Sequence, residues 1–197
     1  MHDEVLAVAE RLVDVGAAAE LILALDQSGS MAGSVIHAGV LSAALASIPT
    51  LETKVIAFDT AIVDLSEELD DPVELLFGIQ LGGGTDIDQA LAYCQNIVVR
   101  PAKTVLILVT DLYEGGDPES MLRRAASLLR SGVRLIVLLA LSDDGTPAYE
   151  HRHAAAMAAL GAPVFACTPD QFPEMLAAAL EGRDVRAWAA AQDIPVS

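Results

Sequence analysis

The chain has 197 residues and a formal net charge of −17. That length suits one domain able to bury a sizeable core, and a composition 53% hydrophobic but only 4% aromatic leaves Ala, Leu and Val to build it, which favours a layered α/β protein over an aromatic-rich all-β one. Eleven Lys and Arg against 28 Asp and Glu exclude nucleic acid as a partner, because too few cations exist to displace counterions from phosphates; a solvated acidic surface is the plain reading and a basic partner the sharper one.

The first ten residues carry Asp3, Glu4 and Glu10 and no Lys or Arg, which is not the pattern of a secretory signal. The longest apolar run, Leu135 to Leu141, is too short to span a bilayer. Two cysteines, Cys94 and Cys167, make neither a disulfide framework nor a zinc site, and read as buried free thiols in a reducing compartment. The expectation is a soluble cytoplasmic protein with no membrane partner.

Val5, Leu6, Ala9, Leu12 and Val13 share one helical face, so residues 1–18 read as an amphipathic helix, either docked on the domain or the stub of a larger region. The domain itself is expected over 19–181. Leu21 to Leu25 is a five-residue apolar run with the look of a buried strand. It stops at Asp26, and Gln27-Ser28-Gly29-Ser30 turn the chain into a helix expected from Met31 to Ile48 and stopped by Pro49. Asp26, Ser28 and Ser30 thus stand on alternate residues of one tight loop. In an extended or looped backbone that spacing lets three oxygen-bearing side chains converge, as a helix face would not. One carboxylate with hydroxyls around it, and no soft ligand near, suits a hard octahedral cation such as Mg²⁺.

Lys54 to Asp59 reads as a strand, with Thr60 to Leu65 close enough to pair antiparallel as a hairpin. An acidic, solvated stretch follows from Ser66 to Glu74. Leu81-Gly82-Gly83-Gly84-Thr85-Asp86 permits close backbone approach before a helix from about Asp86 to Val99, with Ile87, Ala90, Leu91, Cys94 and Val98 as its buried stripe. Thr104 to Thr110 is another buried strand, ending at Asp111. Asp117-Pro118 is an N-cap with proline at the first helical position, opening a helix to about Arg130 that Gly132 stops. A strand over Val133 to Ala140, a turn at Asp143-Asp144-Gly145, a helix near Tyr149 to Leu160, a strand over Pro163 to Cys167 and a helix over Asp170 to Leu180 complete the domain. Residues 182–197 read as a polar tail carrying the single tryptophan, Trp188.

Strands alternate with helices, which implies a doubly wound, mostly parallel six-stranded sheet with one antiparallel edge strand and helices on both faces. Ligands of such sheets bind at the carboxyl ends of strands, where strand order reverses. Asp26 and Asp111 each follow directly on a strand, and Thr85 comes from a third loop. Each residue has an ordinary alternative: Ser-Gly-Ser and Thr before a helix are common caps, and Asp at a strand end is common turn chemistry. Their coincidence at one predicted edge favours a metal site.

Asp26-x-Ser28-x-Ser30, Thr85 after its glycines and Asp111 after its strand together resemble the metal-ion-dependent adhesion site of the von Willebrand factor type A (VWA) family, over roughly Ala19 to Leu180. The resemblance implies a Rossmann-like fold in which Ser28, Ser30 and Thr85 hold a divalent cation directly while Asp26 and Asp111 act mainly through bound waters. Mg²⁺ is the expected ion, with Mn²⁺ or Ca²⁺ as substitutes, and one coordination position is left for a partner's Asp or Glu. Many family members place Gly after the second aspartate, where this chain has Leu112. The wording Asp111-Leu112-Tyr113-Glu114-Gly115 is similar to bacterial intracellular VWA proteins of the CoxE-like kind, which implies work beside a MoxR-type AAA+ ATPase in assembly or metal insertion. Glu114 reads equally as an extra carboxylate on the site rim or as an ordinary surface residue, and Tyr113 as packing over the loop rather than facing a partner. His151 and His153, two apart on a helix, diverge and make a poor metal pair.

Enzymatic patterns do not fit. Gly82-Gly83-Gly84-Thr85 matches no phosphate-binding loop, Gln27-Ser28-Gly29 lacks the first glycine of a hydrolase elbow, and Ser28 stands where an aspartyl-phosphate hydrolase needs a second carboxylate. A binding module is therefore expected. The competing expectations are an extracellular adhesion module, a metal-dependent hydrolase, and a purely structural metal.

Overall fold

The computed structural model describes residues 20–31, 51–67, 83–139, 148–166 and 171–194. The expected helix over 1–18, all but the first residue of the one expected over Met31–Ile48, the glycines' start at Leu81-Gly82, most of the acidic stretch, the turn at Asp143 and Cys167 lie outside them. The described strands are β1 (Glu20–Asp26), β2 (Glu52–Phe58), β3 (Ile62–Asp64), β4 (Thr104–Thr110), β5 (Arg134–Leu139) and β6 (Val164–Ala166). The described α-helices are α1 (Ile87–Ile97), α2 (Pro118–Ser131), α3 (His151–Leu160), α4 (Phe172–Leu180) and α5 (Val185–Ala191).

All six strands form one sheet in the order β3-β2-β1-β4-β5-β6. Every pairing is parallel except the antiparallel β2–β3 edge, which closes as the hairpin expected from their short spacing. Because β1 is followed by β2 on one side and flanked by β4 on the other, strand order reverses at β1. The crevice between the carboxyl ends of β1 and β4 is therefore where a doubly wound sheet takes a ligand.

The strands are continuous apolar runs because both faces are covered. In β1, Leu21, Leu23 and Leu25 enter one core with Ile107, Phe165, Leu176 and Trp188. Ile22 and Ala24 enter the other, with Leu91, Leu106, Met121 and Met157. The helices α1 to α3 thus cover one face, and α4 and α5 the other. Each such fully buried Leu or Ile contributes roughly 1.5–3 kcal/mol relative to exposure.

The helix ends follow local chemistry. Asp86 caps α1 by accepting the Gln89 N–H, and Asp117 caps α2 by accepting the Glu119 N–H. Gly132 ends α2 with φ +99°, a left-handed conformation that a side chain would strain. Past Leu180 the structure departs from the expected polar tail. Asp184 caps a short helix, α5, and Trp188 is buried against Phe165 at a ring-centroid distance of 6.1 Å. Its seven residues are too few for periodicity to announce a buried face, and the decisive contact is tertiary. No helix among the described residues is long and apolar enough to cross a membrane.

Candidate metal centre

Asp26, the last residue of β1, is 2% exposed. One carboxylate oxygen accepts the Ser28 N–H at 2.9 Å, a local turn that starts the loop. The other accepts the hydroxyl of Thr110, the last residue of β4, at 2.7 Å. The loop is tied to the neighbouring strand by the Gln27 N–H, donated to the Phe58 carbonyl at 2.7 Å. A single helical turn over Gly29–Met31 then brings the Ser28 and Ser30 hydroxyl oxygens to 3.3 Å of each other.

Asp111 follows β4 directly and is also 2% exposed. One of its oxygens accepts the Tyr113 N–H at 3.1 Å, and its carbonyl accepts the Glu150 N–H that leads into α3. Burial pushes the Asp26 carboxyl above its ordinary value and the Asp111 charge adds to this, against the Thr110 and Ser28 hydrogen bonds. Among the described residues neither aspartate forms a salt bridge.

Thr85 is 7% exposed in the loop before α1. Its carbonyl accepts the Gly115 N–H at 2.9 Å, which joins this loop to the one carrying Asp111. On its other side, Asp59 at the end of β2 holds the same loop. The Asp59 carbonyl accepts the Asp86 N–H at 2.8 Å, and its carboxylate accepts the Gly83 N–H at 3.2 Å and the Ala61 N–H at 2.7 Å. Asp26, Ser28, Ser30 and Asp111 are thus brought together by direct contacts or charge, and Thr85 is tied to the same edge through Gly115.

The donor set fits a hard divalent ion. Two buried carboxylates face one crevice without a cation among the described residues, an arrangement that costs energy unless a positive charge joins them. The Ser28 and Ser30 hydroxyls meet at 3.3 Å and the Ser28 side chain also bonds Asp26, yet a hydroxyl that donates its one proton keeps acceptor lone pairs for a cation. No group of three His, Cys, Asp or Glu side chains gathers among the described residues; the donors at this edge are two carboxylates and three hydroxyls, all hard oxygens.

Several residues of the site were not visible in the sequence. Thr110, read there only as the end of a strand, donates to Asp26 and accepts the Leu112 N–H at 3.0 Å. Asp59, read as a strand terminus, anchors the Thr85 loop. Both roles depend on strand register, which a parallel sheet sets through tertiary packing. Glu114 fits neither of its two expected roles. One oxygen accepts the Ile87 and Asp88 N–H groups at 2.8 and 3.2 Å, the other the Gly116 N–H at 2.6 Å, so the side chain caps α1. Burial pushes its carboxyl up, opposed by those three N–H donors, while the Asp86 charge adds to the rise.

Leu112 has φ +62°, the left-handed conformation in which a glycine would be unstrained. Its side chain is fully buried in the core with Met121 and Met157, and its carbonyl accepts both the Glu114 N–H at 3.0 Å and His153 Nδ1–H at 2.8 Å. Packing and hydrogen bonds thus hold a strained residue beside Asp111. Tyr113, expected to pack over the loop, is 51% exposed. His151 lies exposed with its ring tilted on Tyr149, while His153 points to Leu112, so the two histidines diverge.

Residues 9–176 match the family model for VWA domain containing CoxE-like protein. The uncharacterized protein YehP of Escherichia coli (strain K12) is 43% identical over 162 residues, which cover 82% of this chain but 43% of that protein. The chain therefore spans less than half the length of the curated relative it matches. Among solved structures, a von Willebrand factor type A protein from Catenulispora acidiphila superposes with TM-score 0.65 at 17% identity, covering 83% of this chain and 43% of that one. An aerotolerance-related membrane protein from Bacteroides fragilis gives TM-score 0.61 at 15% identity, covering 80% of this chain and 96% of that one. The manganese-loaded TRAP protein of Plasmodium vivax gives 0.58 at 19%, covering 72% and 63%. At these identities the structural likenesses speak for the fold, while the family match extends through β1, Thr85 and Asp111 alike. The chain belongs to the VWA domain containing CoxE-like family.

Proposed function

We propose that this domain is a Mg²⁺-dependent protein-binding module rather than an enzyme. VWA domains are protein-interaction modules in general, and the observation that carries the finer reading is the crevice between β1 and β4. There two buried carboxylates, Asp26 and Asp111, stand together without a cation among the described residues, beside hydroxyls with spare acceptor oxygens. Ser28, Ser30 and Thr85 would hold the ion directly, with Asp26 and Asp111 acting mainly through water. Mn²⁺ or Ca²⁺ would substitute; a structural relative in its manganese-loaded form supports this class of ion. When bound, the ion supplies a Lewis-acidic position for a partner's Asp or Glu.

The protein's own residues prepare that encounter. Thr110 and the Ser28 N–H fix the Asp26 carboxylate, Gly115 holds the Thr85 loop, and Tyr113 presents an exposed ring at the rim. The kinship to CoxE-like proteins supports a MoxR-type AAA+ ATPase as the partner system, with the domain as a cytoplasmic adaptor in assembly or metal insertion. The test is capture of a purified MoxR-type ATPase from the same source by immobilised domain in Mg²⁺, in EDTA, and with Asp26→Ala. Capture by the wild type in Mg²⁺ alone is expected. Equal capture under all three conditions would move the binding surface away from the crevice, and no capture with no ATPase stimulation would remove this partner.

A further inference from the structure

The loop after β4 carries more than Asp111. Two successive residues, Glu114 and Gly115, reach across to the loop that carries Thr85. The Glu114 carboxylate closes on the first turn of α1 through the Ile87 and Asp88 N–H groups, at 2.8 and 3.2 Å, and on its own loop through the Gly116 N–H at 2.6 Å. Gly115 donates to the Thr85 carbonyl at 2.9 Å. A Cβ at Gly115 would lie 2.7 Å from that carbonyl oxygen, so only glycine permits the approach.

Helix α1 already has an ordinary cap, since Asp86 accepts the Gln89 N–H at 2.8 Å. Glu114 satisfies two further N–H groups from a different element, and these belong to the residues immediately following Thr85 and Asp86. The carboxylate therefore ties the start of α1 to the end of β4, and it does so at the height of the crevice.

We propose that Glu114, with Gly115, is a positioning residue for the cation. It sets the distance between Thr85 and Asp111, two donors from separate loops, before any ion arrives. This rests on the metal reading of the crevice. Groups that orient metal ligands without touching the metal commonly change its affinity about 10- to 100-fold when removed, whereas a helix cap that served stability alone would leave affinity unchanged.

The test is Mn²⁺ titration of the whole chain, with free Mn²⁺ read by electron paramagnetic resonance, at a temperature where circular dichroism shows each variant folded. Glu114→Ala and Gly115→Ala are expected to bind about 10- to 100-fold more weakly than wild type. Glu114→Gln keeps one carbonyl for the α1 N–H groups but turns a donor toward the Gly116 N–H, and should fall between. Asp184→Ala is the control. It removes the cap of α5 beyond the end of α4, which Arg134 pins to the opposite edge of the sheet, so it should lower stability and leave affinity intact. In EDTA, the Ile87 and Asp88 amides should lose hydrogen-exchange protection in Glu114→Ala. Wild-type affinity in a folded Glu114→Ala and Gly115→Ala, with Asp26→Ala abolishing binding, would overturn the proposal alone. Wild type that takes up no Mn²⁺ would overturn the metal reading and the proposal together.

Discussion

Glu20 offers a strong test of how the sheet is held, at the end of β1 opposite the crevice. Its carboxylate is fully buried and accepts Lys54 Nζ at 2.7 Å, the Thr104 hydroxyl at 2.6 Å and the Val99 N–H at 3.3 Å. This ties β1 to both neighbouring strands and to the segment after α1. Glu20→Gln keeps the shape and removes the charge. Breaking one partner of a buried ion pair costs about 3–5 kcal/mol. Lys54 is 18% exposed and keeps the Ile97 carbonyl at 2.8 Å and Glu52 at 3.5 Å, so the lower end, about 3 kcal/mol, applies. In a domain this size that is roughly 6–12 °C in Tm.

The pH dependence has a definite sign. Burial pushes the Glu20 carboxyl up, but Lys54, Thr104 and Val99 outweigh it and hold it below its ordinary value. Its contribution is therefore present above the unfolded carboxylate pKa and is lost as pH falls through the folded one. Urea unfolding should show the full gap between wild type and Glu20→Gln at pH 7, shrinking below roughly pH 4. A gap under about 0.5 kcal/mol at pH 7, or one that does not change with pH, would refute this account of the clamp.

Other consequences are equally open to measurement. At Leu112 the usual order of alanine and glycine should invert: with φ +62°, Leu112→Gly should be about 1 kcal/mol more stable than Leu112→Ala, although both fall well below wild type through the lost buried side chain. Urea unfolding that places alanine above glycine would contradict the left-handed assignment. The buried Cys94 thiol is pushed up to about 12, so peptide mapping after alkylation at pH 8 should find it unlabelled in native buffer and labelled in urea. Tyr113→Ala, which removes an exposed ring, should alter stability by less than about 0.5 kcal/mol while weakening partner capture in Mg²⁺; unchanged capture would take Tyr113 out of the binding surface.

What the sequence revealed here was what is local. An apolar run that stops at an aspartate placed Asp26 and Asp111 at one edge, because strand ends and their turns are written in neighbouring residues. Asp117-Pro118 and Gly132 marked α2 for the same reason. The roles of Thr110, Asp59 and Glu114 depend instead on which strands lie side by side and at what register, and no neighbouring residue encodes that. Tyr113 and Trp188 were misjudged in opposite directions, since an aromatic beside glycines and one in a charged segment look alike until the fold exposes the first and buries the second. The left-handed Leu112 was likewise invisible as strain, although its departure from the glycine usual in the family marked the position.

The proposed cation site joins Asp26, Ser28, Ser30, Thr85 and Asp111 in one crevice. Calorimetric titration of Mg²⁺ into EDTA-stripped protein, paired with thermal unfolding, addresses it most directly. Wild type should take up about one ion per chain and gain about 2.7 kcal/mol of stability at a hundredfold excess over Kd. Asp26→Ala and Asp111→Ala should be folded and show neither effect. A folded wild type with no heat of binding and no Mg²⁺-dependent rise in Tm, or binding retained in both variants, would contradict it.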